Sequence, residues 1–219
     1  MKTIVPAILY FIIGSVFIII QDNASFFTEL LIKGLIIPVL IFIFMVNLKS
    51  VLIVNKLLLA GLLFSWAGDV AIEFSFIPGL VCFLLTQIMY LTSFLVAPGK
   101  IYIKGWRLML LIPVILYGVI LVGYMYSDLS EMRLPVIIYA AIILAMLSAA
   151  INRKYKANRV SYYLVLAGAF LFVISDSVLA INKFTYHFKS SGTIIMLTYI
   201  IAQFLIVLGY IKQFRSDTE

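Results

Sequence analysis

Three charged residues fall inside apolar segments of this sequence: Lys33, Asp69 and Asp176. Every other Lys, Arg, Asp and Glu can be assigned to a loop or a terminus. A charge at the centre of a bilayer costs roughly 2.5–3.5 kcal/mol on insertion scales, so such residues tend to be paired or functional. Two carboxyls in a poorly solvated site can perform acid/base chemistry, because desolvation and mutual repulsion keep one protonated while the other ionises. Asp69 and Asp176 are therefore the candidate catalytic pair.

The composition places these residues in a membrane. Of the 219 residues, 65% are hydrophobic and 11% are charged, whereas a soluble domain has about 45–50% apolar and about 25% charged residues. The net charge of +7 fits membrane topology better than nucleic-acid binding. Cys82 is the only cysteine, which excludes disulfides within the chain and a cysteine metal site. The composition therefore predicts an integral membrane protein.

Eight apolar stretches are long enough to cross a hydrocarbon core of about 30 Å as helices. They cover residues 3–20, 28–46, 51–72, 76–97, 106–126, 133–151, 160–182 and 190–212. No remaining stretch is long enough for a separate soluble domain. We therefore predict an all-α fold, a bundle of eight transmembrane helices that forms one domain over residues 1–219.

The charges between the predicted helices are distributed asymmetrically. One side receives twelve cations and two acids: Lys2, Lys49, Lys56, Lys100, Lys104, Arg107, Arg153, Lys154, Lys156, Arg159, Lys212 and Arg215, with Asp217 and Glu219. The other side receives three cations and five acids: Arg133, Lys183 and Lys189, with Asp22, Glu29, Glu73, Asp128 and Glu131. The positive-inside rule then predicts that both termini are cytoplasmic. The Ile/Lys/Asn-rich composition favours a bacterial inner membrane.

Two pairs of short segments indicate an internal duplication. Residues 5–10 resemble residues 112–117, and Gly68-Asp69 late in the third predicted helix has a counterpart in Ser175-Asp176 late in the seventh. Both pairs lie four helices apart and run in the same direction. This pattern is consistent with a parallel 4+4 repeat, as found in some transporters.

The predicted topology brings further polar residues to a similar depth. Lys33 and the two aspartates lie just below the outer edge of the membrane core, and six other polar residues lie beside or beneath them: Ser65, Gln87, Tyr90, Ser175, Tyr199 and Gln203. If these faces point inward, they line a pocket that opens toward the outer leaflet. The alternative interpretations are that the aspartates only join helices by hydrogen bonds and that Lys33 only extends its ammonium group to the interface.

The segments around these residues resemble the YhhN/TMEM86 family of multi-pass membrane proteins. The matching blocks are residues 62–69, 76–83, 168–180 and 199–206, and Lys33 falls where the family has a lysine in its second helix. The family often has a histidine three residues before the tyrosine of the fourth helix, where this chain has Gln87. Glutamine forms hydrogen bonds but does not shuttle protons near neutral pH, so a mechanism that requires this histidine does not transfer.

The characterised animal members of this family are lysoplasmalogenases. The resemblance therefore implies hydrolysis of the vinyl ether bond of a lysoplasmalogen, a single-chain membrane lipid, to a fatty aldehyde and a glycerophospho-base. In this interpretation Asp69 and Asp176 supply the acid and the stabilising anion. Lys33 binds the lipid phosphate or pairs with an aspartate, and the substrate-binding set is completed by Ser65, Gln87, Tyr90, Ser175, Tyr199 and Gln203. No metal, organic cofactor or nucleic-acid partner is implied, and the oligomeric state stays open.

Three other functions are compatible with the same residues. A proton-coupled transporter or lipid flippase would use the aspartates to carry protons. A hydrolase or isomerase of another membrane lipid would use similar acid/base chemistry. A non-catalytic scaffold leaves the three membrane charges with no role beyond packing.

Overall fold

The computed structural model describes residues 4–21, 23–48, 52–97 and 105–215, and this part of the chain is all-α. Its eight α-helices are α1 (Ile4–Ile20), α2 (Phe26–Asn47), α3 (Ile53–Phe74), α4 (Phe76–Val96), α5 (Gly105–Met125), α6 (Arg133–Asn152), α7 (Arg159–Phe184) and α8 (Ser191–Arg215). Short 3₁₀ turns at Ser130–Met132 and Arg153–Tyr155 flank α6. Each helix begins and ends within a few residues of its predicted bounds.

Capping residues and one sharp reversal define several of the helix ends. The Ser25 hydroxyl accepts a hydrogen bond from the Thr28 amide at the start of α2, and Asn158 caps α7 through the Ser161 amide. Such caps satisfy backbone donors that a helix start leaves unpaired. Ser75 alone separates α3 from α4, with an extended backbone. Helix α3 ends at Phe74, directly before Ser75. Glu73 therefore lies in the last turn of the helix, whereas the sequence assigned it to a loop.

Within the described part of the chain, six helices are long and apolar enough to cross a membrane: α2, α3, α4, α6 with its flanking turns, α7 and α8. Helix α1 and the Leu111–Met125 part of α5 are shorter apolar helices. The protein is thus a multi-pass membrane protein. The count of eight spans and the cytoplasmic location of both termini stay predictions. Part of the charge pattern behind them lies outside the described residues, namely Lys2, Asp22, Lys49, Lys100, Lys104, Asp217 and Glu219.

The most extensive helix contacts join α3 to α4 and α7 to α8. Both pairs use glycine to bring the helices close together. A Cβ atom at Gly61 would overlap the Tyr90 ring, and one at Gly168 would lie 2.8 Å from the Ala202 carbonyl oxygen. Small residues at such positions allow membrane helices to approach closely and gain van der Waals contact.

The spacing of these glycines bears on the predicted repeat. Gly61 and Gly168 are separated by the same number of residues as Asp69 and Asp176. Each glycine therefore lies two turns before its aspartate, on a helix that packs closely against the next helix in the chain. This arrangement agrees with a parallel duplication, which stays a prediction.

Helix α8 is the most buried of the six candidate spans. In its most apolar window 56% of the residues are buried, against 33–39% in the other five. It forms side-chain hydrogen bonds with α3 and α4, and its backbone carbonyls accept hydrogen bonds from Tyr10 of α1 and Ser175 of α7. At the periphery, α5 packs mainly against α6. The polar face of α8 therefore organises the interior of the bundle.

Candidate active site

Asp69 is held in the centre of the bundle by a tyrosine from α8. Only 2% of the Asp69 surface is exposed, and its Oδ2 atom accepts a hydrogen bond of 2.7 Å from the Tyr199 hydroxyl. Hydrogen bonds to an ionised acceptor are about twice as strong as neutral ones. Tyr199 therefore fixes the position of this carboxylate and supports its negative charge.

A chain of hydrogen bonds extends from Tyr199 away from the carboxylate. Because the single Tyr199 proton goes to Asp69, the Ser65 hydroxyl must donate to the Tyr199 oxygen, 2.7 Å away. The Ser65 oxygen in turn accepts from Gln203 Nε2, and Gln203 Oε1 accepts from the Tyr90 hydroxyl, both at 2.7 Å. Every proton in this chain points toward Asp69. The four residues, predicted to lie near one another, form one connected network.

Aromatic rings fix the orientation of Tyr199. Phe83 of α4 and Phe172 of α7 both pack edge-on against its ring, with centroid distances of 6.1 and 5.6 Å. Gly68 leaves the space that Phe83 occupies, because a Cβ atom there would lie 3.2 Å from that ring. The glycine that precedes Asp69 thus allows the packing that positions the hydrogen-bond donor of Asp69.

Asp176 has a different tyrosine, which the sequence did not identify. The Tyr139 hydroxyl of α6 donates to Asp176 Oδ2 at 2.5 Å. Gln87 of α4 is fully buried and lies close enough to interact with both residues. Its amide makes no well-aligned hydrogen bond within the described part of the chain. The amide is therefore available to a water molecule or to a substrate oxygen.

The two aspartates border the same cavity. This cavity has a volume of about 60 Å³, and its lining includes Asp69, Asp176, Lys33, Ser175 and Tyr199. A second cavity of about 40 Å³ is lined by Asp176 and Tyr139, among others. Such volumes admit water molecules but not a hydrocarbon chain. The convergence of the two acidic groups on one small space is the arrangement that the candidate pair required.

Lys33 forms an ion pair with a residue that the sequence had placed in a loop. Its Nζ atom lies 2.6 Å from Oε1 of Glu73. Glu73 follows Asp69 by one helical turn of α3. The Lys33 and Glu73 side chains are 11% and 21% exposed, so the pair stands at the edge of the buried site. Lys33 also interacts electrostatically with Asp69. The direct ion pair of Lys33 is thus with Glu73, and its role as counter-ion to an aspartate stays a prediction.

Ser175 also borders the cavity, and its hydroxyl donates to the Ile195 carbonyl of α8 at 3.0 Å. The structure thus brings the predicted site residues together in one region, and it adds Tyr139 and Glu73. The spacing of Glu73 from Asp69 is a signal that sequence reasoning could have used. Tyr139 is one of thirteen tyrosines in the chain and carries no comparable signal. The described residues contain no group of three or more metal-ligating side chains.

Membrane-spanning helices around a buried aspartate pair define the class: a multi-pass helical membrane protein with a polar site in its interior. The model of the YhhN family matches residues 28–210, and the chain belongs to this family. The match begins in α2 and ends in α8, so it includes every candidate site residue. No solved structure matches the chain significantly.

Two similar proteins, one human and one bovine, are named lysoplasmalogenases. The chain is 28% identical over 167 residues to human lysoplasmalogenase TMEM86B, a match that covers 75% of this chain and 68% of the human protein. It is 32% identical over 167 residues to bovine lysoplasmalogenase TMEM86A, covering 73% of this chain and 66% of that protein. The matches thus span about two thirds of the relatives.

Proposed function

We propose that this protein is a lysoplasmalogenase-type hydrolase that cleaves the vinyl ether bond of a single-chain lysophospholipid. The products are a fatty aldehyde and a glycerophospho-base. The observation that carries the proposal is the pair of carboxyls, Asp69 and Asp176, on one water-sized cavity inside a membrane protein. The names of the similar human and bovine proteins support the same reaction.

The reaction needs an acid, an anion and one water molecule. Transfer of a proton from the acid to the β-carbon of the vinyl ether forms a C–H bond and leaves an oxocarbenium ion. The oxygen of water then adds to the carbon attached to the ether oxygen, and the proton released returns to a carboxylate. The hydroxyl of the resulting hemiacetal then gives its proton to the carboxylate form of one aspartate as its C–O bond becomes the C=O bond of the aldehyde. The bond to the glycerol oxygen breaks in the same step, and this oxygen takes its proton from the protonated aspartate. General acid/base catalysis of this kind contributes about 10²–10⁴-fold to a rate.

We assign the anion to Asp69 and the acid to Asp176. Asp69 has the charge of Lys33 nearby and receives the last hydrogen bond of a chain whose protons all point toward it. Both features suit a carboxylate that stabilises a cation. The nearest polar partners of Asp176 are Tyr139 and Gln87, which are uncharged. An acid in such a setting resembles the protonated member of other paired-carboxylate sites.

The remaining groups bind water and the polar part of the lipid. The Gln87 amide beside Asp176 orients the attacking water, a role that requires hydrogen bonds but no proton transfer. Lys33 lies at the edge of the site and binds the lipid phosphate. When the substrate binds, the ammonium group of Lys33 leaves Glu73 and pairs with the phosphate. We further propose that the cavity opens toward the outer leaflet of a bacterial inner membrane, as the charge distribution predicts.

The test uses purified protein and a lysoplasmalogen, with aldehyde release as the readout. Asp69→Asn and Asp176→Asn are expected to lower turnover by at least about 10²-fold while the protein stays folded, because asparagine preserves the shape of each side chain. Asp128→Asn is the matched control, since Asp128 is exposed in the loop before α6. Full activity of either site variant would remove that residue from the mechanism. Uptake of lipid into vesicles without product would instead favour the transporter that uses the same aspartates.

A further inference from the structure

The cavities at the aspartates are too small for the hydrocarbon chain of the proposed substrate. At about 60 and 40 Å³, they hold water but not a long alkenyl chain. A groove of about 750 Å³ lies on another face of α7, where it meets α5 and α6. This volume is in the range of sites that bind whole small ligands. The groove is therefore large enough for the part of the lipid that the cavities exclude.

The lining and length of the groove suit a single hydrocarbon chain. Its walls are almost entirely apolar and include Leu147, Leu166, Ala167, Phe170 and Val173. Along α7 it extends from residue 162 to residue 174, which corresponds to about 18 Å of helix. One leaflet of a bilayer core, half of about 30 Å, has a similar depth. The groove thus offers an apolar channel of one leaflet in length.

One end of the groove lies at Ile174, two residues before the candidate catalytic acid along α7. Tyr117 of α5 lines the groove, and its hydroxyl donates to Ser177 Oγ at 2.8 Å. Ser177 directly follows Asp176. On α6, the groove residue Leu144 lies little more than one turn after Tyr139, the tyrosine that donates to Asp176. The two helices that hold Asp176 and its tyrosine are thus two of the three that form the groove walls.

We propose that this groove binds the hydrocarbon chain of the lysolipid substrate, an inference that rests on the proposed function. The chain lies along α7 from Ile174 toward Tyr162, and its vinyl ether end points to Asp176. A second apolar groove of about 670 Å³ lies between α5 and α6. The residues that line it come from α5 and α6 and none from α7, so it does not reach the helix of Asp176. The first groove is the one that includes residues of α7, and it ends two residues before Asp176.

The test is a chain-length profile for a variant that blocks the groove midway. Ala167 is exposed and lines the groove. It lies about 9 Å from Val173 along the axis of α7. Ala167→Trp is expected to lower kcat/KM for sixteen- and eighteen-carbon lysoplasmalogens by at least about tenfold, since each lost methylene contact counts in an apolar pocket. An eight-carbon substrate, which ends before the block, should retain its wild-type rate. Comparing variant with wild type at each chain length removes differences in how the lipids partition.

Ala141→Trp is the matched control, because Ala141 is exposed in the second groove. It should leave the chain-length profile unchanged. Phe170→Ala widens the first groove and should shift the preference toward longer chains. This variant tests the groove even if Ala167→Trp does not fold. An unchanged profile in Phe170→Ala or in a folded Ala167→Trp, with an active wild type, would overturn the groove assignment. A wild type that cleaves no vinyl ether lipid of any length would overturn the proposed function and this inference with it.

Discussion

Two buried polar clusters lie at successive positions along α4 and α8, the two helices that contribute to both. The carboxylate cluster consists of Asp69, Tyr199, Ser65, Gln203 and Tyr90. The guanidinium cluster consists of Arg153, Gln213, Ser161, Tyr210 and Phe94. Both clusters place side chains that prefer water inside a membrane protein. They differ in what surrounds the charged group.

Arg153 is fully buried and enclosed by aromatic rings. Its guanidinium carbon lies 4.7 Å from the centre of the Tyr210 ring and 5.3 Å from that of Phe94, and Nη2 donates to the Gln213 amide oxygen. A desolvated cation above an aromatic face gains about 2 kcal/mol or more. Asp69 is equally buried but borders a cavity. A buried charge that faces open space can meet a substrate, whereas one covered by rings joins helices.

The largest expected effect concerns turnover in the carboxylate cluster. Asp176→Asn should lower kcat by about 10²–10⁴-fold, the range for loss of a general acid. The free energy of unfolding should change little, because the asparagine carbonyl can still accept the Tyr139 hydrogen bond. Aldehyde release and denaturation in detergent measure the two quantities on one preparation. A large loss of stability with normal turnover per folded molecule would make Asp176 a structural residue like Arg153.

The guanidinium cluster should respond in the opposite way. Arg153→Ala is expected to lower the free energy of unfolding by about 2–4 kcal/mol, because it opens a cavity and removes the charged donor of the Gln213 oxygen, which keeps the hydrogen bond from Ser161. Turnover per folded molecule should stay within about twofold of wild type. Arg159→Ala, at an exposed arginine beside Tyr163, is the control and should cost much less stability. A specific loss of activity in Arg153→Ala would contradict the structural role of this cluster.

The sequence predicted the helices well because apolar length is a local property. Residues 76–97 were predicted as a helix, and α4 covers Phe76–Val96. The aspartates could also be identified, since an acid in an apolar segment stands out wherever the helix packs. That both line one cavity depends on the rotation of α3 and α7 about their axes, which no local pattern determines.

The residues that sequence reasoning missed are those defined by a partner from another helix. Tyr139 belongs to the site only because α6 packs where its hydroxyl reaches Asp176. Glu73 was assigned to a loop because the predicted helix ended at residue 72, whereas α3 ends at Phe74. Arg153 was likewise counted as a loop cation, yet it is fully buried in the turn after α6. The charge of a residue alone did not show whether it lies in a loop, where it reports membrane topology, or is buried against another helix.

Helix α8 carries a matched pair of tyrosines, one in each cluster. Tyr199 donates to Asp69, while the Tyr210 hydroxyl lies 2.6 Å from the Ser93 hydroxyl. Tyr199→Phe should lower kcat about tenfold, since a hydrogen bond to a charged group is worth about 1.5 kcal/mol or more. Tyr210→Phe should cost about 1 kcal/mol of stability and leave kcat unchanged. Equal effects of the two substitutions on kcat would erase the distinction between the clusters.

The smallest expected effect concerns the ion pair at the edge of the carboxylate cluster. If Lys33 exchanges Glu73 for the lipid phosphate, the two charges act on substrate binding in opposite directions. Lys33→Met should raise KM by about fivefold, and Glu73→Gln should lower it by about twofold, in the range of a partly exposed charge contact. For both variants kcat should change less than KM, because neither group belongs to the proton-transfer pair and each acts on Asp69 only through its charge. Glu131→Gln, at an exposed glutamate before α6, should change neither constant. A rise in KM for both Lys33→Met and Glu73→Gln would mean that the intact ion pair, and not the released ammonium group, shapes the entrance to the site.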